Sequence, residues 1–139
     1  MIVTGPEVVE WVAKQTNEYG NFGCAVGIGW EREGKIVAGV AYNDYNGPNI
    51  NAHIAITGAM TKTFLHTIFD YPFNQAKVKR ITGLVGSGNE NGKNINLRLG
   101  FTEETRLKDC HPTGDMIVYV MRRENCRWLE LKHELKKAA

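Results

Sequence analysis

The sequence lacks most of the features that mark specialised classes of protein. Cysteine is scarce: Cys24, Cys110 and Cys126 are widely separated, and no Cys-x-x-Cys pair indicates a zinc or redox site. No apolar run approaches the ~20 residues that a membrane-spanning helix needs. Residues 4–7 interrupt the start of the chain with glycine and proline, which argues against a signal peptide. We therefore expect a protein of the reducing cytoplasm with no membrane partner.

A strong charge of either sign is also missing. The 17 basic and 15 acidic residues give a formal net charge of +2, and the pI is about 8.4. So mild a charge does not by itself indicate a nucleic-acid partner. Basic residues concentrate at 77–80 and at 122–137, and the second cluster is typical of a solvated helix face. We expect no nucleic acid among the partners.

Repeats and low-complexity stretches are absent too, and 139 residues suit one domain, which we expect to span 1–139. The first helix is expected to follow a capping box, Thr4-x-x-Glu7, and to end at Gly20. Apolar periodicity predicts further helices at 60–70, 90–99 and 124–137, and strands at 22–30, 35–42, 49–56, 81–85, 101–107 and 115–121. This order predicts an α/β fold, with a central mixed sheet of about six strands and flanking helices.

The stretch from Lys79 to Phe101 is the most informative part of the chain. It predicts a strand over 81–85, a glycine-rich break, a short helix and an exit into another strand. Asn89 is placed to cap the helix with its side-chain oxygen, and Gly100 is the residue type expected just past a helix end. The segment therefore predicts a strand–turn–helix unit that packs on the sheet.

Asn89 lies eleven residues before Gly100, and Leu99-Gly100-Phe101 closes the helix. This spacing, with the order of strands and helices, resembles the GNAT superfamily of acyl-CoA-dependent N-acetyltransferases over about residues 20–121. The resemblance implies a GNAT-like fold in a small single-domain enzyme. It further implies transfer of an acetyl group from acetyl-CoA to a primary amine, without a metal. The sequence does not identify the acceptor, a protein or a small molecule, and a homo-oligomer is compatible with it.

The resemblance implies a cofactor site between the strand at 49–56 and the strand at 81–85, which splay apart in that family. The pyrophosphate sits at the start of the helix after the first of these strands, where free N–H groups and the helix dipole bind anions. The implied cofactor-binding residues are Ile56, Thr57, Gly58, Thr61, Lys62, Thr63 and Asn89. The family's glycine-rich loop, Arg/Gln-x-x-Gly-x-Gly/Ala, is missing here, and Gly58 stands alone.

The catalytic groups depart from the family pattern. His53 lies in the strand where the family often has a carboxylate base, and an imidazole with an ordinary pKa of about 6.5 suits removal of an amine proton. A lone histidine on a strand is also commonly structural. Glu31, Asp44 and Asp115 are alternative bases that the sequence does not rank. Asn96 occupies the position of the family's general-acid tyrosine, and an amide does not release a proton at neutral pH.

These departures leave a second interpretation open, in which the domain keeps the fold but not the activity. The tail at 124–137 places Trp128, Leu131 and Leu135 on one side, which predicts an amphipathic helix that docks on the body or on another subunit. A catalytically inactive binding or structural module would assemble through this C-terminal helix.

Overall fold

Within residues 1–18 and 22–130, which the computed structural model describes, seven strands form one mixed sheet. The strands are β1 (Ile2–Thr4), β2 (Val26–Arg32), β3 (Lys35–Asn43), β4 (Asn49–Ile56), β5 (Arg80–Gly86), β6 (Thr102–His111) and β7 (Gly114–Arg122). The predicted α/β fold class is confirmed. The sheet has one strand more than expected because β1, which pairs with β2, is too short to show alternation in the sequence.

The α-helices of the same residues are α1 (Pro6–Thr16), α2 (Lys62–Asp70) and α3 (Glu90–Leu99). A π-helical turn, Tyr71–Gln75, extends α2, and 3-10 turns occur at Arg123–Asn125 and Arg127–Glu130. None of the helices in the described part of the chain is long and apolar enough to cross a lipid bilayer.

The start of α1 differs from the expectation. Thr4 belongs to β1, and the residue that caps α1 is Gly5, whose φ of 119° favours glycine. The predicted capping box of Thr4 and Glu7 is therefore wrong, because pairing with β2 holds Thr4 outside the helix. The helix ends at Thr16, before the expected Gly20, and Asn17 closes it in the left-handed conformation.

The strands follow the spatial order β1-β2-β3-β4-β5-β7-β6. Neighbours are antiparallel except for β4 and β5, which run parallel. A parallel pair needs a crossover, and α2 supplies it on one face of the sheet. The centre of the sheet is therefore the junction between an antiparallel N-terminal half and an antiparallel C-terminal half.

Helices cover the two faces of the sheet unequally. α1 packs on one face over β2, β3 and β4, around a small core that includes Val8, Val12 and Ala55. The opposite face carries the larger core, in which α2 and α3 pack on residues such as Ile54 and Ile81. Because side chains alternate along a strand, the odd-numbered residues of β4 face the α1 side and the even-numbered ones face the larger core.

The strand β6 forms one edge of the sheet, and nearly all of its side chains are exposed. Two ion pairs lie there: Arg80 of β5 holds Glu104 at 2.9 Å, and Arg106 holds Glu103 at 3.0 Å. Charged side chains along an edge strand hinder further pairing with other chains.

Over residues 124–130 the C-terminal segment does not form the α-helix expected at 124–137. Its described part forms the two 3-10 turns, and residues 131–137 lie outside the described residues. Cys126 is buried, and the Trp128 ring stacks on Phe69 while its Nε1 donates to the Leu99 carbonyl at 2.7 Å. An α-helix points residues two apart in nearly opposite directions, so it could not bring both side chains to the core. This segment packs on the body of the protein.

Glycines in β2 and β3 let α1 lie close to the sheet. A Cβ at Gly27 would lie 2.8 Å from the Val8 Cβ and 2.9 Å from the Gly5 carbonyl oxygen. These are backbone-linked atoms that cannot rotate away, so any larger residue at this position forces α1 outward.

We expect Gly27→Ala to lower the free energy of unfolding by about 1–3 kcal/mol, the usual cost of overpacking. Urea denaturation at constant pH measures it. Gly88→Ala is the matched control, because a Cβ at Gly88 meets no atom within 4 Å, and it should stay within about 0.5 kcal/mol of the wild type. Equal stability of Gly27→Ala and Gly88→Ala would show that α1 is free to move.

Candidate functional site

The parallel strands β4 and β5 separate soon after they meet. They pair through Asn49–Arg80, Ile50–Ile81 and Asn51–Thr82, and no further pairing links them. Beyond that point β4 stays paired with β3 as far as Ile56, and β5 stays paired with β7 as far as Gly86. Each strand thus follows its outer neighbour, and the expected splay is confirmed.

A cavity of about 660 Å³ occupies the gap, a size common for small-molecule sites, which span ~300–1,000 Å³. Its walls come from β4 and β5, the end of α1, the start of α3 and the turn between β6 and β7. The lining residues are 15–18, 52–54, 84–86, 88, 89, 92, 96 and 111–113. Because the walls include both odd and even residues of β4, the cavity reaches both faces of the sheet.

Asn89 caps α3 as predicted: its Oδ1 accepts a hydrogen bond from the Gly92 N–H at 2.9 Å. Gly100 ends the same helix with a φ of 105°. A small adjoining cavity of about 30 Å³ brings Asn89 together with Ile56 and Thr57. Three of the expected cofactor-binding residues therefore lie side by side at one end of the gap.

The other expected cofactor residues surround the start of α2. Thr61 caps this helix, because its Oγ1 accepts a hydrogen bond from the Phe64 N–H at 3.1 Å. Lys62 and Thr63 are exposed in the first turn, and Gly58 lies against Val37. None of the four lines either cavity, so their role in binding stays a prediction.

His53 lies on the α1 side of β4 and lines the cavity. Its Nε2 is 3.0 Å from Asn43 Oδ1, and its ring stacks on Phe22 with a centroid separation of 4.2 Å. The Asn43 Nδ2 donates to the Phe22 carbonyl at 3.0 Å, which turns Oδ1 toward the imidazole. The neutral ring therefore carries its proton on Nε2 and a lone pair on Nδ1.

Burial lowers the pKa of His53 to about 4, although the negative charges of Glu18 and Asp44 oppose this shift. The ordinary pKa of about 6.5 expected from the sequence is therefore wrong for this residue. The desolvation of an imidazolium at this position outweighs the electrostatic stabilisation that the two carboxylates would give it. The ring stays neutral throughout the physiological pH range.

A pair of titratable residues at the other wall of the cavity was not predicted from the sequence. His111 Nε2 lies 3.4 Å from Glu18 Oε1, which joins the end of α1 to the β6–β7 turn. The Thr113 N–H donates to His111 Nδ1 at 3.3 Å, so the neutral ring presents Nε2–H to the carboxylate. The close approach of the ring requires Gly86, where a Cβ would lie 2.8 Å from it. Partners 93 positions apart leave no local signal in a sequence.

The three alternative bases lie outside the cavity. Glu31 is in β2, where its N–H donates to the Met1 carbonyl. Asp44 Oδ2 accepts a hydrogen bond from Asn51 Nδ2 at 3.3 Å, and Asp115 Oδ1 accepts one from the Asp109 N–H at 3.0 Å. Across residues 1–18 and 22–130, no cluster of His, Cys, Asp and Glu is arranged to hold a metal ion.

Solved acetyltransferases have a similar structure. A chimera of the spermidine N-acetyltransferase SpeG from Vibrio cholerae and hSSAT matches with a TM-score of 0.66 and 12% identity, over 93% of this chain and 98% of that one. The N-acetyltransferase PseH of Campylobacter jejuni, in complex with acetyl coenzyme A, matches with a TM-score of 0.58 and 11% identity, over 88% of this chain and 99% of that one. A GNAT-family acetyltransferase from Bacillus anthracis matches with a TM-score of 0.57 and 17% identity, over 72% of this chain and 66% of that one.

No protein-family model and no curated protein matches this chain. At identities of 11–17% the structural likeness establishes the fold alone. The chain has the fold of the GNAT N-acetyltransferases, as the resemblance in its sequence implied.

The lowered pKa of His53 has a measurable consequence for stability. The unfolded chain takes up a proton at this residue near pH 6.5, whereas the folded protein does so only near pH 4. Between these values the unfolded state binds more protons, so stability falls as the pH is lowered, by about 3 kcal/mol in total. Below pH 4 this contribution is constant.

We expect NMR titration of the His53 ring protons to give a pKa near 4. Urea unfolding at pH 7 and pH 4.5 should show a smaller loss of stability in His53→Gln than in the wild type, because glutamine does not titrate. A measured pKa near 6.5 would mean that the ring is solvated, contrary to the packing described here.

Proposed function

We propose that this protein is an N-acetyltransferase that transfers an acetyl group from acetyl-CoA to a primary amine. The observation that carries the proposal is the gap between β4 and β5, which has Asn89 at the start of α3 on one side and His53 on the other. The solved structures named above are acetyltransferases, and one of them contains acetyl coenzyme A.

The residues around the gap suit a ligand with a long, amide-containing arm. Beyond Asn51 and Thr82 the facing backbone groups of the two strands do not pair with each other, so a ligand between them can meet N–H and C=O groups. Acetyl-CoA supplies a reactive thioester at the end of such an arm. We assign its binding to the set Ile56, Thr57, Gly58, Thr61, Lys62, Thr63 and Asn89. The positive end of the helix dipole at the start of α2 suits the pyrophosphate.

We assign the role of base to His53. Asn43 fixes the ring with Nε2–H bound, which leaves the Nδ1 lone pair to accept a hydrogen bond from the attacking amine. The depressed pKa keeps this lone pair available at neutral pH. Such a ring is a weak base, so it acts on the neutral amine, after the ammonium has lost one proton to water. It takes a second proton from the amine as the N–C bond forms and the C–S bond breaks, and this proton passes through water to the departing coenzyme A thiolate.

The acceptor in this proposal is a cationic amine. Glu18 lines the cavity, and both Glu18 and Asp44 act electrostatically on His53. Carboxylates beside the reaction centre attract an ammonium group and any second cation on the same molecule. Spermidine, which the name of the SpeG neighbour identifies as its substrate, is therefore the first acceptor to test.

The inactive binding module remains the alternative. It is favoured by the missing glycine-rich loop and by Asn96 in place of a tyrosine acid. The location in the cytoplasm, the single domain and the formation of a homo-oligomer stay predictions. Measurements of acetyl-CoA binding and turnover distinguish the enzyme from the inactive module.

We expect acetyl-CoA to raise the thermal midpoint of the protein. A ligand at 100 times its dissociation constant adds about 2.7 kcal/mol of stability. Release of free thiol, measured with a panel of primary amines that includes spermidine, then reports turnover. Binding without thiol release for any amine would favour the inactive module, and no shift at millimolar acetyl-CoA would reject the cofactor site.

The variant His53→Gln tests the role of His53 as the base in the same assay. It should lower the thiol-release rate and leave the acetyl-CoA-induced shift unchanged, because glutamine has no basic lone pair. An equal rate in wild type and variant would remove His53 from the mechanism.

We expect Lys62→Ala to weaken acetyl-CoA binding by about five- to tenfold, since it removes a positive charge from the proposed phosphate site. Isothermal titration calorimetry measures the affinity. Lys35→Ala is the matched control, because Lys35 is an exposed lysine at the β2–β3 turn. If the two variants bind equally well, the phosphate groups do not lie at the start of α2.

A further inference from the structure

Asn96 is a buried polar residue on α3 that lines the cavity between β4 and β5. The residue is 4% exposed. Its Nδ2 donates to the Gly92 carbonyl at 2.8 Å within the helix. Its Oδ1 is the one buried side-chain nitrogen or oxygen, within the described residues, that has no hydrogen-bond partner. The amide is therefore oriented by the helix with its acceptor oxygen unused.

The unused oxygen lies against β5 at Gly83. A Cβ at Gly83 would lie 2.7 Å from Asn96 Oδ1, so only glycine lets the amide approach β5 this closely. Thr82 is the last β5 residue that pairs with β4, and Gly83 is the next one along. Asn96 Oδ1 thus lies at the narrow end of the gap.

Burying a carbonyl oxygen without a donor is costly, and native proteins rarely leave one unpaired. Leucine would fill the same volume without that cost. Ile54 and Val85, which line the same cavity, are apolar and buried, so the site disfavours a charged donor, which would lose its hydration there. The missing partner is therefore an uncharged N–H group of a molecule that enters the gap.

We infer that Asn96 Oδ1 accepts a hydrogen bond from a secondary amide N–H in the pantetheine arm of the cosubstrate. This inference rests on the proposed function and deepens it. The arm is an uncharged chain with two amide groups, and it is slim enough to reach the narrow end of a gap between strands. Since Nδ2 is bound to Gly92, Asn96 presents an acceptor to the ligand and is a positioning residue for the thioester.

The decisive variant is Asn96→Leu, studied with two ligands. Acetyl-CoA contains the pantetheine arm, whereas adenosine 3′,5′-bisphosphate carries the nucleotide phosphates without it. We expect the variant to bind acetyl-CoA about tenfold more weakly, which corresponds to about 1.4 kcal/mol, and to bind the bisphosphate as the wild type does. In the absence of ligand, its thermal midpoint should rise by a few degrees because the unpaired oxygen is gone.

Asn94→Leu is the matched control, because it makes the same substitution at an exposed position of α3. It should change neither affinity. Equal acetyl-CoA affinity in Asn96→Leu and the wild type would overturn the inference. A wild-type protein that binds neither ligand would instead overturn the proposed function, and the inference with it.

A measurement on the wild type covers the case in which Asn96→Leu does not fold. The side-chain amide resonances of Asn96 should shift in NMR spectra when acetyl-CoA is added and stay in place with the bisphosphate. Unchanged Asn96 resonances at saturating acetyl-CoA would contradict the hydrogen bond.

Discussion

The site depends on the brief pairing of β4 with β5. These strands are parallel neighbours at the centre of the sheet, and their pairing ends at Asn51 and Thr82. Each strand remains bound along its other edge, β4 to β3 and β5 to β7, so the gap has two rigid walls. A fully paired sheet would leave no room for a ligand. A longer separation would remove the junction that holds the two halves together.

Electrostatics at the gap are governed by burial as much as by charge. His53 faces the α1 side, with Glu18 and Asp44 close enough to affect its titration. In water these carboxylates would favour an imidazolium, but desolvation and the Phe22 ring keep the imidazole neutral. The protein thus holds an uncharged base in an acidic neighbourhood. An incoming ammonium meets attraction from the carboxylates and no repulsion from the ring.

Elements with a local signal were predicted well from the sequence. The bounds of β4, the cap at Asn89 and the end of α3 at Gly100 match, because alternation and capping depend on neighbours in the chain. The resemblance to the GNAT superfamily also gave the correct fold. β1 was missed since three residues show no period, and the C-terminal turns were missed since core packing outweighs helical periodicity there.

Features of the site that depend on distant partners could not be predicted. The pKa of His53 is lowered by burial, to which the distant Phe22 ring contributes by stacking on the imidazole, and the Glu18–His111 contact joins the end of α1 to the β6–β7 turn. The unpaired oxygen of Asn96 depends on a glycine thirteen positions earlier. Sequence reasoning identified Asn96 as a departure from the family pattern. Only the packed structure reveals which of its atoms is available.

The charged edge at β6 bears on how the protein behaves in a crowded solution. Glu103 and Glu104 are engaged by Arg106 and Arg80, so a second chain that extended the sheet would lie beside four charged side chains and partly desolvate them. Open sheets with long apolar borders can grow into fibrils. This border instead makes each molecule a poor template for the next, and high salt, which screens the charges, would weaken that protection.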